Sequence, residues 1–171
     1  MTEIAAKTHR AGFPGVRVGA RLSAALAQPL LSRVVRRIAQ NHPSLFARLG
    51  AHQATDYVID PVELPFALHL RPDAAAPIFR AVPRDALPVA GATIRGRFIT
   101  LLQLLDSEED GDAAFFSRGL EITGNTEAVV RLRNALDDLD GSVADEAAGL
   151  FGPPGRATLA FLRRNYGRGA A

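Results

Sequence analysis

The sequence predicts an α+β fold, a mostly antiparallel sheet covered by helices, with an added N-terminal helical arm. Three observations predict it. A strand-like run, a glycine turn and a capped amphipathic helix follow one another between residues 112 and 140. Four short apolar segments punctuated by proline and aspartate lie between residues 57 and 96. An apolar stripe flanked by arginines occupies Val16 to Gln40. A chain of 171 residues is long enough to bury one core and still carry helical appendages, so a single domain suffices.

In chain order, the first 15 residues read as a flexible N-terminus that ends at Gly12, Pro14 and Gly15. Residues 16–42 form the amphipathic arm, in which Val18, Leu22, Ala25, Leu26, Leu30, Leu31, Val34, Val35 and Ile38 make the stripe beside Arg17, Arg21, Arg33, Arg36 and Arg37. Pro29 is expected to split or kink it, since proline removes a backbone donor and clashes with the preceding turn. Ser44 to Leu49 makes a short helix after the Asn41-His-Pro boundary. Tyr57-Val-Ile, Pro65 to Leu70, Ile78 to Val82 and Ala92 to Gly96 are strand-like, and the turns between them suit antiparallel pairing.

Phe98 to Leu105 fits a helix, although Ile99-Thr100 could instead prolong the strand before it. The charged loop Asp106 to Asp112 leads to Phe115 and Phe116, which open the final strand pair with Leu120 and Ile122. Gly124 then turns the chain and Asn125 caps a helix whose apolar positions are Val129, Leu132, Leu136 and Leu139. Residues 146–171 form a linker and a short helix, with Gly152-Pro-Pro-Gly as the break before Ala157.

Charge is uneven along the chain. Residues 1–50 hold eight Lys/Arg and one acid, whereas residues 106–146 hold three against twelve, so a basic arm faces an acidic body. Such an arm suits either the domain's own acidic surface or an anionic one. Nucleic acid is disfavoured, because the basic residues lack interleaved stacking aromatics and no DNA- or RNA-binding motif is evident. The absence of cysteine excludes disulfides, thiol nucleophiles and thiolate metal sites. The start of the chain lacks the pattern of a secretory signal, and no apolar run approaches the roughly 18 residues of a membrane span, so a cytoplasmic protein is expected.

Catalytic and metal chemistry finds little support. Asp106, Glu108, Asp110 and Gly111 imitate the start of a calcium loop, but its twelfth position is Ser117 where a bidentate glutamate is required. His9, His42, His52 and His69 show no ligand spacing and read as surface or structural histidines. Ser117 has no nucleophile elbow around it, and the carboxylates of the Asp106 to Asp112 loop are solvated. No catalytic residue, cofactor or metal is expected.

One resemblance is specific. The run Asp112-Ala-Ala-Phe-Phe-Ser-Arg-Gly-Leu-Glu-Ile-Thr-Gly-Asn-Thr-Glu-Ala, with Arg133-Asn-Ala-Leu-Asp beyond it and Ala92-Thr-Ile-Arg-Gly before it, resembles bacterial sterol carrier protein 2-like (SCP2) domains. Within them it is most similar to the UbiT-like accessory factors of oxygen-independent ubiquinone biosynthesis. Asn125 stands where that group often has aspartate, and either residue caps a helix.

The resemblance implies an SCP2-like domain over residues 43–145 that encloses an apolar lipid cavity, whereas side-chain evidence alone favours a packed core. Phe98, Leu101, Leu102, Leu105, Phe115, Phe116, Val129 and Leu132 are then candidate cavity walls, and Arg33, Arg36 and Arg37 candidate contacts to a membrane or partner. It further implies a non-enzymatic carrier that presents polyprenylated ubiquinone intermediates, with UbiU/UbiV-like hydroxylases as partners; the arginine-flanked stripe of the arm, read from its own residues, suits peripheral contact with an anionic inner membrane or packing on the domain or a partner. A general lipid-transfer protein and a packed interaction module without ligand are the alternatives.

Overall fold

In the computed structural model, the described residues are 14–103, 119–137, 145, 148–149 and 152–166. The expectations for the first residues, the acidic loop, Leu105, Phe115, Phe116 and Leu139 fall outside them.

At the centre is a five-stranded sheet of order β3-β2-β1-β4-β5, built from β1 (Tyr57–Pro61), β2 (Phe66–Arg71), β3 (Ile78–Pro83), β4 (Ala92–Gly96) and β5 (Leu120–Gly124). The four strand-like segments read from the sequence are all strands, and the sheet is mostly antiparallel as expected. The pairing of β1 with β4 corrects the expectation, because it is parallel, with Tyr57 opposite Ala92 and Asp60 opposite Arg95. After β3 the chain returns past two strands to the free side of β1 and runs in the same direction. That side of β1 is fastened by Gly91 and Ala92 donating to the Asp56 carbonyl, and by Val62 donating to the Gly96 carbonyl.

The register sorts side chains by parity. Tyr57, Ile59, Leu68, Leu70, Ala92, Ile94, Leu120 and Ile122 share one face, and α2 (Pro43–Leu49) and α4 (Thr126–Asp137) supply its cover. Leu45, Phe46 and Leu49 of α2 pack there with Ala128, Val129, Leu132 and Ala135 of α4. Tyr57 is fully buried at the middle of this layer, and its hydroxyl donates to the Ala128 carbonyl at 3.1 Å, which ties β1 to α4. Burial pushes the Tyr57 phenol above its ordinary value.

Gly124, with φ of 84°, joins β5 to α4, and the Asn125 side chain accepts from the Ala128 backbone N–H at 3.0 Å, the cap expected from sequence. The helix at Phe98 is also as expected, α3 (Phe98–Gln103). Its first backbone N–H donates at 2.7 Å to Glu63 from the β1–β2 connection, which holds the Glu63 carboxyl below its usual range.

α1 is one helix, Pro14–Asn41, with Pro29 inside it, so of the two expected effects of Pro29, a split or a kink, the split does not occur. The missing proline N–H removes one helical bond, and packing against β3 offsets that local loss. Small Ala20 and Ala24 are buried on α1, together with Val34 and Val35. Gln28 approaches the open edge of β3, accepting from the Ala81 N–H at 3.2 Å and donating to the Phe79 carbonyl at 3.4 Å, so its amide stands in for a neighbouring strand. At the other end of the chain, α5 (Gly152–Tyr166) starts at Gly152 rather than Ala157. Prolines 153 and 154 lie in the first turn, where their missing donors have no intrahelical partner to lose.

Candidate functional site

The apolar face of the sheet and the helices above it form the candidate lipid-facing region. Leu101 of α3 and Val129 and Leu132 of α4 are buried in one cluster with Tyr57, Ala92 and Ile94, so three of the expected wall residues come together. Leu102 packs elsewhere, against Leu159 of α5 and against Ala148, which precedes that helix, and Phe98 is exposed. Arg33, Arg36 and Arg37 are all exposed on α1, and Arg36 Nε donates back to the Ser32 carbonyl at 3.0 Å. A groove of about 250 Å³ lies outside this layer, between Gln28, Ser32 and Arg36 of α1 and Pro77, Phe79 and Arg80 by β3. Pockets for drug-sized ligands span roughly 300–1,000 Å³, so the groove is small for a lipid chain.

The opposite face of the sheet is built differently, and sequence reading missed it. Val58, Ala67 and Val82 are buried there among Asp60, His69, Arg71, Arg80 and Arg95. Asp60 is only 5% exposed and accepts from Arg84 at 2.6 and 2.9 Å and from Arg95 at 2.7 Å. Arg84 also donates to the Pro61 and Leu64 carbonyls, so it clasps the turn between β1 and β2. His69, 2% exposed, lies opposite Arg80 in the β2–β3 register.

Arg80 Nε donates to His69 Nδ1 at 3.0 Å, so the ring proton resides on Nε2 and is donated to Asp56 Oδ1. Both ring nitrogens are therefore engaged within the protein. A histidine–aspartate pair of this kind has no nitrogen left to take a proton from a substrate, so it positions strands instead. This agrees with the structural histidine expected from sequence. The only signal for the network was period-two alternation of charged and apolar residues in β2 and β3, and its partners follow only once the register is known. Among the described residues no group of three or more His, Asp or Glu side chains could hold a metal ion.

Asp56 also accepts from both Nε and Nη2 of Arg71. That guanidinium, followed by His69, holds the Asp56 carboxyl below the ordinary value despite an opposing contribution from burial. A carboxyl lowered in the folded state contributes stability that is present above the unfolded value of about 4 and is lost as pH falls through the folded value. We expect acid titration of the urea midpoint to show a falling limb below about pH 4 that is shallower in Asp56→Asn. An unchanged limb would show that Asp56 has no part in it.

Among the described residues no helix is long and apolar enough to cross a membrane. Comparison with known proteins finds that the family model described as the SCP-2 sterol transfer family matches residues 36–137. A solved structure titled "UbiJ-SCP2 Ubiquinone synthesis protein" is similar at 16% identity and a TM-score of 0.48, over 68% of this chain and 90% of that one. No match was found among curated proteins.

Proposed function

Since the chain belongs to the SCP-2 sterol transfer family, we propose that it is a non-enzymatic lipid-binding accessory factor that presents polyprenylated ubiquinone intermediates to the enzymes that hydroxylate them without oxygen. The observation that carries lipid binding is the family match over a sheet with one apolar, helix-covered face. On this reading the apolar tail lies against the layer of Leu101, Val129 and Leu132, and burying it contributes on the order of 0.8 kcal/mol per methylene. UbiU/UbiV-like hydroxylases then receive the cargo. The ubiquinone role rests on the resemblance of the Gly124-Asn-Thr-Glu segment and its flanks to UbiT-like factors. Polar contacts orient the head group, while the protein performs no bond chemistry on it.

Native mass spectrometry followed by organic extraction tests this on protein purified from its native host grown without oxygen. A stoichiometric polyprenylated quinone precursor is the expected result. Mixed phospholipid would replace the specific role with general lipid transfer. No bound lipid, together with failure to take up isoprenoid or fatty-acyl probes, would overturn lipid binding and leave a packed interaction domain.

A further inference from the structure

The groove between α1 and β3 collects hydrogen-bond donors that the fold leaves unused. β3 is the edge strand there, and Gln28 reads only part of its edge, the Ala81 N–H and the Phe79 carbonyl. In an antiparallel ladder the N–H and the carbonyl of one residue point the same way and successive residues alternate, so Phe79 and Ala81 both face outward. Pro83, which has no N–H to offer, falls on the same outward parity. Of the outward N–H groups of β3, that of Ala81 is taken by Gln28 and that of Phe79 has no partner among the described residues.

The side chains repeat the pattern. Arg80 spends Nε on His69 and Arg36 spends Nε on the Ser32 carbonyl, and among the described residues the Nη groups of both remain open. Ser32 Oγ accepts from Gln28 Nε2 at 3.0 Å, which leaves its own proton to donate. Ser32, Arg36, Phe79 and Arg80 all line the one groove of about 250 Å³, and among the described residues no carboxylate lines it.

Donors and two positive charges without a carboxylate select an oxyanion over a neutral or cationic ligand. A phosphate monoester carries about −1.5 to −2 at pH 7, which two guanidinium groups balance, whereas a carboxylate carries a single charge. Val35, Pro77 and Ile78 form an apolar wall beside the donors, which suits an apolar ester group. The volume equals that of about eight waters, enough for a phosphate with a ring or a short chain and too little for a lipid chain.

We propose that the groove between α1 and β3 binds a small water-soluble phosphate monoester with an apolar ester group, its oxygens held by Arg36, Arg80, the Ser32 hydroxyl and the Phe79 N–H. Because the donors come from both elements, the bound ligand fastens the helix to the edge of the sheet. The site lies outside the layer of Leu101, Val129 and Leu132, and it does not depend on the carrier reading.

Phenyl phosphate is the probe, titrated calorimetrically into the full chain, with benzoate and phenol as comparisons. Saturable binding with a Kd below about 1 mM is expected, with benzoate at least about tenfold weaker and phenol without measurable heat. Arg36→Gln is expected to weaken binding at least about tenfold and Ser32→Ala about fivefold, since each removes donors to a charged group. Arg33→Gln makes the same charge change on the same helix outside the groove, and binding should be unchanged. In amide NMR spectra the Phe79 N–H is expected to shift downfield on saturation while that of Val89, exposed on the connection before β4, stays in place.

No saturation by about 5 mM phenyl phosphate would overturn the proposal. So would benzoate binding as tightly, an equal loss in Arg33→Gln and Arg36→Gln, or a Phe79 amide that does not move. Vesicles containing phosphatidic acid separate the two sources of a phosphate monoester. Binding to them with none to phenyl phosphate would assign the donors to a lipid head group and overturn the soluble ligand.

Discussion

Replacing Gly124 with alanine is expected to destabilise the protein by about 3 kcal/mol, the sum of a left-handed backbone penalty and a steric clash. Its φ of 84° is one that a residue with a side chain rarely adopts. A Cβ at this position would also stand 2.5 Å from the Gly91 carbonyl oxygen and 3.1 Å from the Ala92 Cα, both backbone atoms of the neighbouring segment. The Gly91 oxygen cannot retreat freely, because it accepts the Asn125 N–H at 2.8 Å. The substitution therefore strains the turn and the cap together. Gly50 supplies the control, since it too has positive φ, of 53°, but no atom lies within 4 Å of a Cβ built there. Gly50→Ala should carry the conformational penalty alone, about 1–2 kcal/mol. Urea unfolding of both variants measures the difference, and equal losses would show that the close approach of Gly91 to Gly124 has no energetic consequence.

Truncation of Leu132 to alanine in delipidated protein is expected to cost about 3 kcal/mol, within the range for a buried leucine whose surroundings relax only partly. The side chain is 5% exposed and packs in the cluster that contains Tyr57, Ile94, Leu101 and Val129. It also lies on the face where the proposed cargo would rest. Added isoprenoid ligand should therefore restore part of the lost stability in Leu132→Ala, because a ligand that binds only the folded state stabilises it by mass action. Thermal unfolding with and without ligand measures both quantities. A loss below about 1 kcal/mol in the absence of ligand would show that the layer around Leu132 is loosely filled. A full loss with no response to ligand would place the cargo away from α4.

Several elements were legible because their signals are local. Gly124 followed by Asn125 encodes a turn and a cap within two residues, and both form as read. The spacing of Val129 and Leu132 identified the buried side of α4, and Ala128 and Ala135 extend it without adding a strong hydrophobic signal of their own. The strands were readable from their apolar content and bounding turns. The first turn of α5 was misread because Gly152-Pro-Pro-Gly can open a helix as well as interrupt one.

The sequence by itself determined the element types, the mixed α+β class, the basic character of α1 and the membership of the family to which its motif pointed. These depend on residue periodicity, turn chemistry and charge, all of which act over a few neighbouring positions. Only the tertiary structure decided the parallel pairing of β1 with β4, the joining of Asp60 to Arg84 and Arg95, and the joining of His69 to Asp56 and Arg80. It alone decided that α1 buries Ala20 and Ala24 while it exposes Leu22 and Leu26. The apolar residues of α1 extend around more than one side of the helix, so periodicity does not select the face that packs. That choice belongs to the edge of β3, where Gln28 meets the open backbone and small side chains let the helix approach.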